Sequence, residues 1–278
     1  MRIIQRAARH GPAVAGSAGF ALLLVAALGA PLLAPYHPDA IDLARIEVPP
    51  GAGHPFGTDR LGRDVLTLVL FGARVSLAVG LAATAIAVLV GVGLGAAAGY
   101  HGGRVDAALM RFVDLMLAMP AFFLLVTLQA LLTPSVGSLI AAVALVGWMR
   151  VARIVRGEFL SLRQREFAQA ALALGVPSRR LIWRHLLPNA GGPIVVVATL
   201  GVADAILIES ALSFLGLGVP PYLPSWGNLI LSGQLNILNG VWWTALFPGG
   251  MLLATTLSIT FLGDGIQQAL ALTGEGGA

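Results

Sequence analysis

The sequence predicts an all-α integral membrane protein with six transmembrane helices, and three observations predict it. Hydrophobic residues make up 57% of the 278 and charged residues only 11%, with a mean hydropathy of +0.87. A soluble domain cannot hide that much apolar surface, so lipid must be the solvent for most of the chain. The apolar residues fall into long charge-free runs, and the arginines are shared very unequally between the two sets of run ends.

Arg2, Arg6 and Arg9 precede the first apolar run, roughly Gly16 to Ala34. A basic start before an apolar run also describes a signal peptide. This run is long, ends at a proline and has no persuasive A-x-A site, so an uncleaved first helix is expected. A polar segment rich in Pro, Gly and Asp follows, Pro35 to Arg74. The second span is expected from Val75 to Tyr100, and HGGRVD (His101 to Asp106) reads as a short polar turn.

The charge-free stretch Leu115 to Met149 is too long for one helix. Thr133-Pro134-Ser135 divides it into a third and a fourth span. The charged interval Arg150 to Asn189 comes next. A fifth span is expected from Pro193 to Phe214, then a loop at PPYLPSWGN (Pro220 to Asn228), then a sixth span from Val241 to Leu262. The chain so divides into an N-terminal region (1–73), a transmembrane core (74–265) holding a loop at 158–190, and a short polar tail (266–278).

Six spans place both termini on one side. With the N-terminus in the cytoplasm, arginines 2, 6, 9, 104, 111, 150, 153, 156, 163, 165, 179, 180 and 184 lie at inward-facing ends, and only 45, 60, 63 and 74 outside. The positive-inside rule favours this orientation. The expected setting is the inner or plasma membrane, with a cytoplasmic 150–190 loop.

All 17 basic residues are arginine, and there is no cysteine. Without lysine there is no P-loop for ATP phosphates and no Schiff-base chemistry. Without cysteine there is no disulfide or thiolate metal site. The histidines at 10, 37, 54, 101 and 185 have no metal-ligand spacing. No catalytic residue, no metal and no nucleic-acid partner are expected.

The interval from Glu166 to Asn189 reads as two short amphipathic helices around a glycine. Ala168, Ala170, Ala171 and Ala173 allow close backbone approach, and Gly175 suits a helix-ending left-handed position. Pro177 or Ser178 starts the second helix, in which Leu181, Ile182, His185 and Leu186 recur at helical spacing; Pro188 closes it. Periodicity alone suits a surface hairpin that merely links two spans just as well as a docking element.

The segment also resembles the Glu-Ala-Ala loop of ATP-binding-cassette importer permeases. Glu166 precedes Gln169-Ala170-Ala171, which stands at the triplet; Gly175 and Leu187-Pro188 follow at the family's spacing. Gln169 departs from the usual glutamate and drops its charge. HPFGTDRLGRDVL (His54 to Leu66) and LSFLGLGVPPYLPSWGNLI (Leu212 to Ile230) resemble the dipeptide/oligopeptide/nickel permeases, in the subunit with the GTD-x-x-GRD segment. The resemblance implies a type I importer permease fold with a related permease beside it. It also implies two ATPase domains that bind ATP and magnesium, and an extracytoplasmic substrate-binding protein. The loop would be the coupling element. Peptides are the implied substrates, with nickel chelates or another small solute as the alternative.

Charged residues inside spans are costly and face an interior. Asp114, Asp204 and Glu209 are therefore candidates for a translocation path or for helix packing. Asp204 and Glu209 are five positions apart, roughly 140° around a helix, so they do not form a dyad. A self-sufficient secondary transporter would have to start from these two, but no inverted repeat is evident. GVGLGAAAG (Gly91 to Gly99) resembles a dinucleotide fingerprint but lies in a span with no preceding strand. Gly91, Gly95 and Gly99 instead form one smooth face for helix packing. GTDRLGRD (Gly57 to Asp64) is expected to cap and clip the entry to the second span, and Trp226, Trp242 and Trp243 to sit in an aromatic belt.

Overall fold

The computed structural model describes residues 11–274. Arg2, Arg6, Arg9, His10 and residues 275–278 of the expected tail lie outside the described residues. The described chain is helical, with turns and one isolated bridge between Thr58 and Asp64. The helices are α1 (Gly11–Leu28), α2 (Ala30–Leu33), α3 (Val65–His101), α4 (Gly103–Leu117), α5 (Ala121–Leu131) and α6 (Val136–Leu162). They continue with α7 (Glu166–Ala173), α8 (Ser178–Leu181), a π-turn (Ile182–Leu186), α9 (Leu187–Asn189), α10 (Gly191–Phe214), α11 (Trp226–Ile237) and α12 (Trp243–Gly274). Five of them, α1, α3, α6, α10 and α12, are long and apolar enough to cross a membrane. The pair α4–α5, bent by 82°, makes a sixth crossing when counted as one span. That bend falls at Pro120, which has no N–H to continue the ladder.

Several expected boundaries move, each for a visible reason. α3 begins at Val65 rather than Val75, because Asp64 caps it by accepting the Thr67 amide at 2.8 Å. The HGGRVD turn shrinks to Gly102, and α4 already starts at Gly103. α6 runs past Met149 to Leu162, so Arg150, Arg153, Arg156 and Glu158 belong to a helix and not to the loop. Partners on α4 and α10 take up the three arginines, as described below. Trp226 opens a helix the sequence did not announce, capped by Ser225, so the proline-rich loop stops there. α12 continues beyond Leu262, with Gly263 against Leu200 and Gly265 against Ala13, and runs on into the expected tail to Gly274.

Two of the three tryptophans are not in a belt. Trp226 is buried, its indole N–H donating to the Val69 carbonyl at 3.2 Å. Trp243 is buried too and donates to the Thr58 carbonyl at 3.0 Å. Only Trp242 stays exposed. The Gly57–Asp64 segment is a clip of this kind throughout. Gly57 has φ +74°, and a side chain there would strike the Trp243 ring; Asp59 pairs with Arg63 at 2.7 Å. Asp64 also faces the His54 ring at 3.0 Å.

At the centre, α3 and α6 make the most extensive helix contact in the chain. Both run in the same direction, and one apolar cluster joins Val79 and Ala83 of α3 to Leu139, Ala142 and Val143 of α6 and Ala205 of α10. α1 packs along α12, where Gly16 meets the backbone at Ser258 and Leu262.

Candidate functional site

The α3–α6 seam comes first, because it carries the loop. A Cβ on Gly91 would lie 2.6 Å from Val151 Cβ, one on Gly95 2.9 Å from Val155 Cβ, and one on Gly99 2.6 Å from Phe159 Cβ. The glycine spacing of four matches the spacing of the residues opposite, as expected of two parallel helices sharing one register. The last turns are then tied together by Arg163, which donates to the Tyr100 carbonyl at 2.7 Å.

From that end of α6 the chain folds into the two-helix loop. Ala168 and Ala171 are buried with Leu181 and Leu186 in one cluster that includes Val155, Phe159 and Leu162 of α6. Alanine at the first two positions lets α7 lie directly on the helix ends. Gly175 has φ +72°, its amide bonds Leu172 O at 3.0 Å, and the Val176 amide bonds Ala171 O at 3.1 Å. That is a Schellman ending for α7, which only a left-handed residue completes. Gln169 donates from Nε2 to the Arg163 carbonyl at 3.0 Å, a bond a glutamate cannot make.

The second helix differs from expectation at its far end. Pro188 does not close it; the chain widens into the π-turn, with Leu187 N–H bonding to Ile182 O. A proline lacks the donor that an α-helix would need there, and the wider turn absorbs the gap. Asn189 Nδ2 takes up the His185 carbonyl at 2.6 Å, so the Leu-Pro-Asn ending is a local repair.

The expected loop residues split into two faces. Ala171 packs inward and Leu187 is half-buried, whereas Glu166, Gln169, Ala170, Gly175 and Pro188 are exposed. Beside the exposed set lie residues that periodicity passed over: Leu174 at 84% exposure and Trp183 at 65%. Trp183 shares an open groove with Pro177, Arg179, Arg180 and Arg184. The available signal was that these two large apolar residues fall off the buried stripe set by Leu181 and Leu186.

The three candidate carboxylates have different fates. Asp114 meets Arg153 at 2.5 Å and Asp204 meets Arg150 at 2.5 Å. The sequence reading did not single out Asp106, which grips Arg156 with both oxygens, Oδ2 lying 2.7 Å from Nη2. Arg150, Arg153 and Arg156 thus form a ladder up α6, clipping it to α10 and α4. The Arg150–Asp204 rung lies in a cavity of about 620 Å³ between α3, α6, α10 and α12.

Glu209 is not among the residues lining that cavity. Its side chain has 0% exposure and accepts from Ser213 at 2.8 Å and Ser210 at 3.3 Å; the hydroxyls of Ser76 and Ser225 face it as well. Three of these serines receive an amide in turn, from Val219, Trp226 and Asn228. Glu209 is therefore a hub that holds the 215–225 loop and the start of α11 onto α3 and α10. Among the described residues no group of three or more His, Asp or Glu is placed to hold a metal ion.

Five membrane-length helices and a bent sixth pair, with a two-helix projection at one end and a mostly apolar cavity holding one ion pair, fit a membrane permease. The chain belongs to the family described as binding-protein-dependent transport system inner membrane component, whose model matches residues 90–272. Residues 2–50 match the N-terminal transmembrane domain of oligopeptide transport permease C. A dipeptide transport system permease protein of Bacillus subtilis (strain 168) is 41% identical over 96% of this chain and 83% of its own. The oligopeptide transport system permease protein of the same organism is 38% identical over 90% and 81%. A probable D,D-dipeptide transport system permease protein of Escherichia coli (strain K12) is 39% identical over 90% and 83%. The crystal structure of an amino acid ABC transporter with histidines shares the fold, with TM-score 0.54 at 15% identity over 73% of this chain and 94% of that one. The chain is thus a multi-pass protein of the inner membrane and the permease subunit of an ATP-binding-cassette importer.

Proposed function

We propose that this permease admits peptides of the dipeptide and oligopeptide class, with the work supplied by ATP hydrolysis in partner subunits. It pairs with a related permease as a heterodimer, two ATPase domains bind its loop face, and an extracytoplasmic binding protein delivers substrate opposite. ATP and magnesium reside in the ATPases; this chain has no catalytic role. Both termini and the Glu166–Asn189 loop face the cytoplasm, a reading supported by the arginines gathered at that end of the spans.

The observation that carries the proposal is the loop itself. Its inner face is continuous with the α3–α6 core, and its outer face presents Leu174, Trp183 and three arginines. A push on that face moves α6 as a body, which is how a packed element transmits a rigid-body change. The peptide class rests on the names of the relatives, all three of which are peptide permeases.

The test is affinity purification from native membranes in mild detergent, followed by uptake in liposomes. Co-purification of an ATPase and a second permease, with ATP-dependent peptide uptake, is the expected result. A chain that purifies alone and moves solute without ATP would overturn the proposal.

A further inference from the structure

The Arg150–Asp204 pair differs from the other rungs of the ladder in what surrounds it. Arg150 lies within α6 and Asp204 within α10, both well inside the spans and far from either helix end. Their side chains are 71% and 49% exposed, so neither is sealed by its neighbours. A charge left against acyl chains is costly, so this face must meet water or protein. Among the described residues, the two are the only charged ones lining the cavity, and apolar groups such as Ala83, Val143, Val197 and Ile208 make up most of the rest.

One buried lining group has no partner among the described residues. Thr84 is 7% exposed, and its hydroxyl makes no hydrogen bond. Threonines in helices ordinarily bond the carbonyl one turn back, as Thr127, Thr199 and Thr255 do here. Thr84 instead keeps a donor and an acceptor available beside the charge pair.

We propose that this cavity is a transit site for short zwitterionic peptides, read by their ends. The α-ammonium takes Asp204, the α-carboxylate takes Arg150, and Thr84 meets a peptide group between them. The ends of an extended dipeptide are separated by roughly 7 Å at most, so the pair must open to admit it; the exposed Arg150 side chain has the room to swing. Each peptide end replaces the partner that the resident charge gives up, and no charge is left bare in the cavity. The volume falls in the range of small-ligand sites. The walls are mostly apolar, with Gln267 the one side-chain amide among the described lining residues, so the site tolerates varied sequences of neutral overall charge. This inference rests on the peptide reading above.

The experiment uses the complete importer in proteoliposomes, with saturating binding protein and tri-alanine as substrate. Asp204→Asn and Arg150→Gln are each expected to lower uptake by roughly tenfold or more, while ATP hydrolysis stimulated by loaded binding protein persists. The charge-swapped double variant R150D/D204R restores an ion pair but reverses the polarity of the site, and is expected not to recover. Single variants with wild-type uptake, or recovery in the swap, would reduce the pair to a helix clip and overturn the proposal. A second readout is independent of these variants. The chain has no cysteine, so Thr84→Cys is a unique thiol within it, and tri-alanine under turnover is expected to slow its labelling by a maleimide. Unchanged labelling would overturn the site. Absence of ATP-dependent uptake by the wild type would sink the peptide reading itself.

Discussion

The hydroxyl of Ser213 donates to Glu209 Oε1 at 2.8 Å and at the same time accepts the Val219 amide at 3.1 Å. One buried carboxylate thus orders a loop six residues beyond its nearest donor, through a serine that faces both ways. Glu209→Ala removes the shared acceptor, at about 1–3 kcal/mol for each hydroxyl that finds no other. We predict a lower melting temperature in detergent and faster proteolysis of residues 215–228. Asp204→Ala, which leaves an exposed pair, should show neither effect. Equal losses in the two variants would mean that Glu209 is not a hub.

The seam between α3 and α6 makes a second prediction. A side chain at Gly95 meets the Ala152 carbonyl and Val155 at once. Overpacking of this kind costs about 1–3 kcal/mol or more per site. Gly95→Leu should therefore lower the yield of folded chain, measured by size-exclusion profile after solubilisation. Gly93→Leu on the same helix, where a Cβ meets nothing within 4 Å, should leave the profile unchanged.

Gly175 separates backbone demand from bulk. No atom lies within 4 Å of a Cβ built there, but φ is +72°. A side chain in the left-handed region costs about 1–2 kcal/mol, and asparagine pays least of that penalty. Gly175→Asn should keep ATP-coupled uptake near wild type. Gly175→Arg should insert normally but uncouple hydrolysis from uptake, because it puts a long side chain in the left-handed position that ends α7, on the face proposed to dock the ATPase. Normal uptake by the arginine variant would argue against docking there.

Gln169→Glu tests the departure from the family triplet. The variant loses a donor to the Arg163 carbonyl, worth about 1 kcal/mol, and sets a carboxylate against the carbonyl end of α6. Amide exchange across Glu166–Leu172 should quicken while the α3–α6 core keeps its protection. Unchanged exchange would show that the Gln169 bond does not hold α7 in place.

Most of the spans were legible because lipid as solvent makes the apolar runs themselves the signal. Gly91, Gly95 and Gly99 were legible as one face from their spacing alone; which helix they meet was not, since Val151, Val155 and Phe159 carry no mark of partnership. The long reach of α6 was hidden for a physical reason. Arg150, Arg153 and Arg156 look like the end of a span until Asp204, Asp114 and Asp106, distant in sequence, are seen to neutralise them. Trp226 and Trp243 read as interfacial because sequence cannot show that carbonyls of Val69 and Thr58 are waiting for their N–H groups. The loop at Glu166–Asn189 was clear in its inner residues, where periodicity reports burial. Its outward Leu174 and Trp183 were missed because exposure leaves no period.

The glycine seam has a mechanical meaning. α3 begins at Val65, capped by Asp64 within the clip that Trp243 locks, and ends where Arg163 grips Tyr100 beside the two-helix loop. With α6 meshed into it tooth for tooth, there is little slack along that length. A displacement of the loop should therefore be passed along the seam toward the Val65 end of α3. The bend at Pro120 lies off that seam, between α4 and α5, so it does not interrupt the register of α3 on α6.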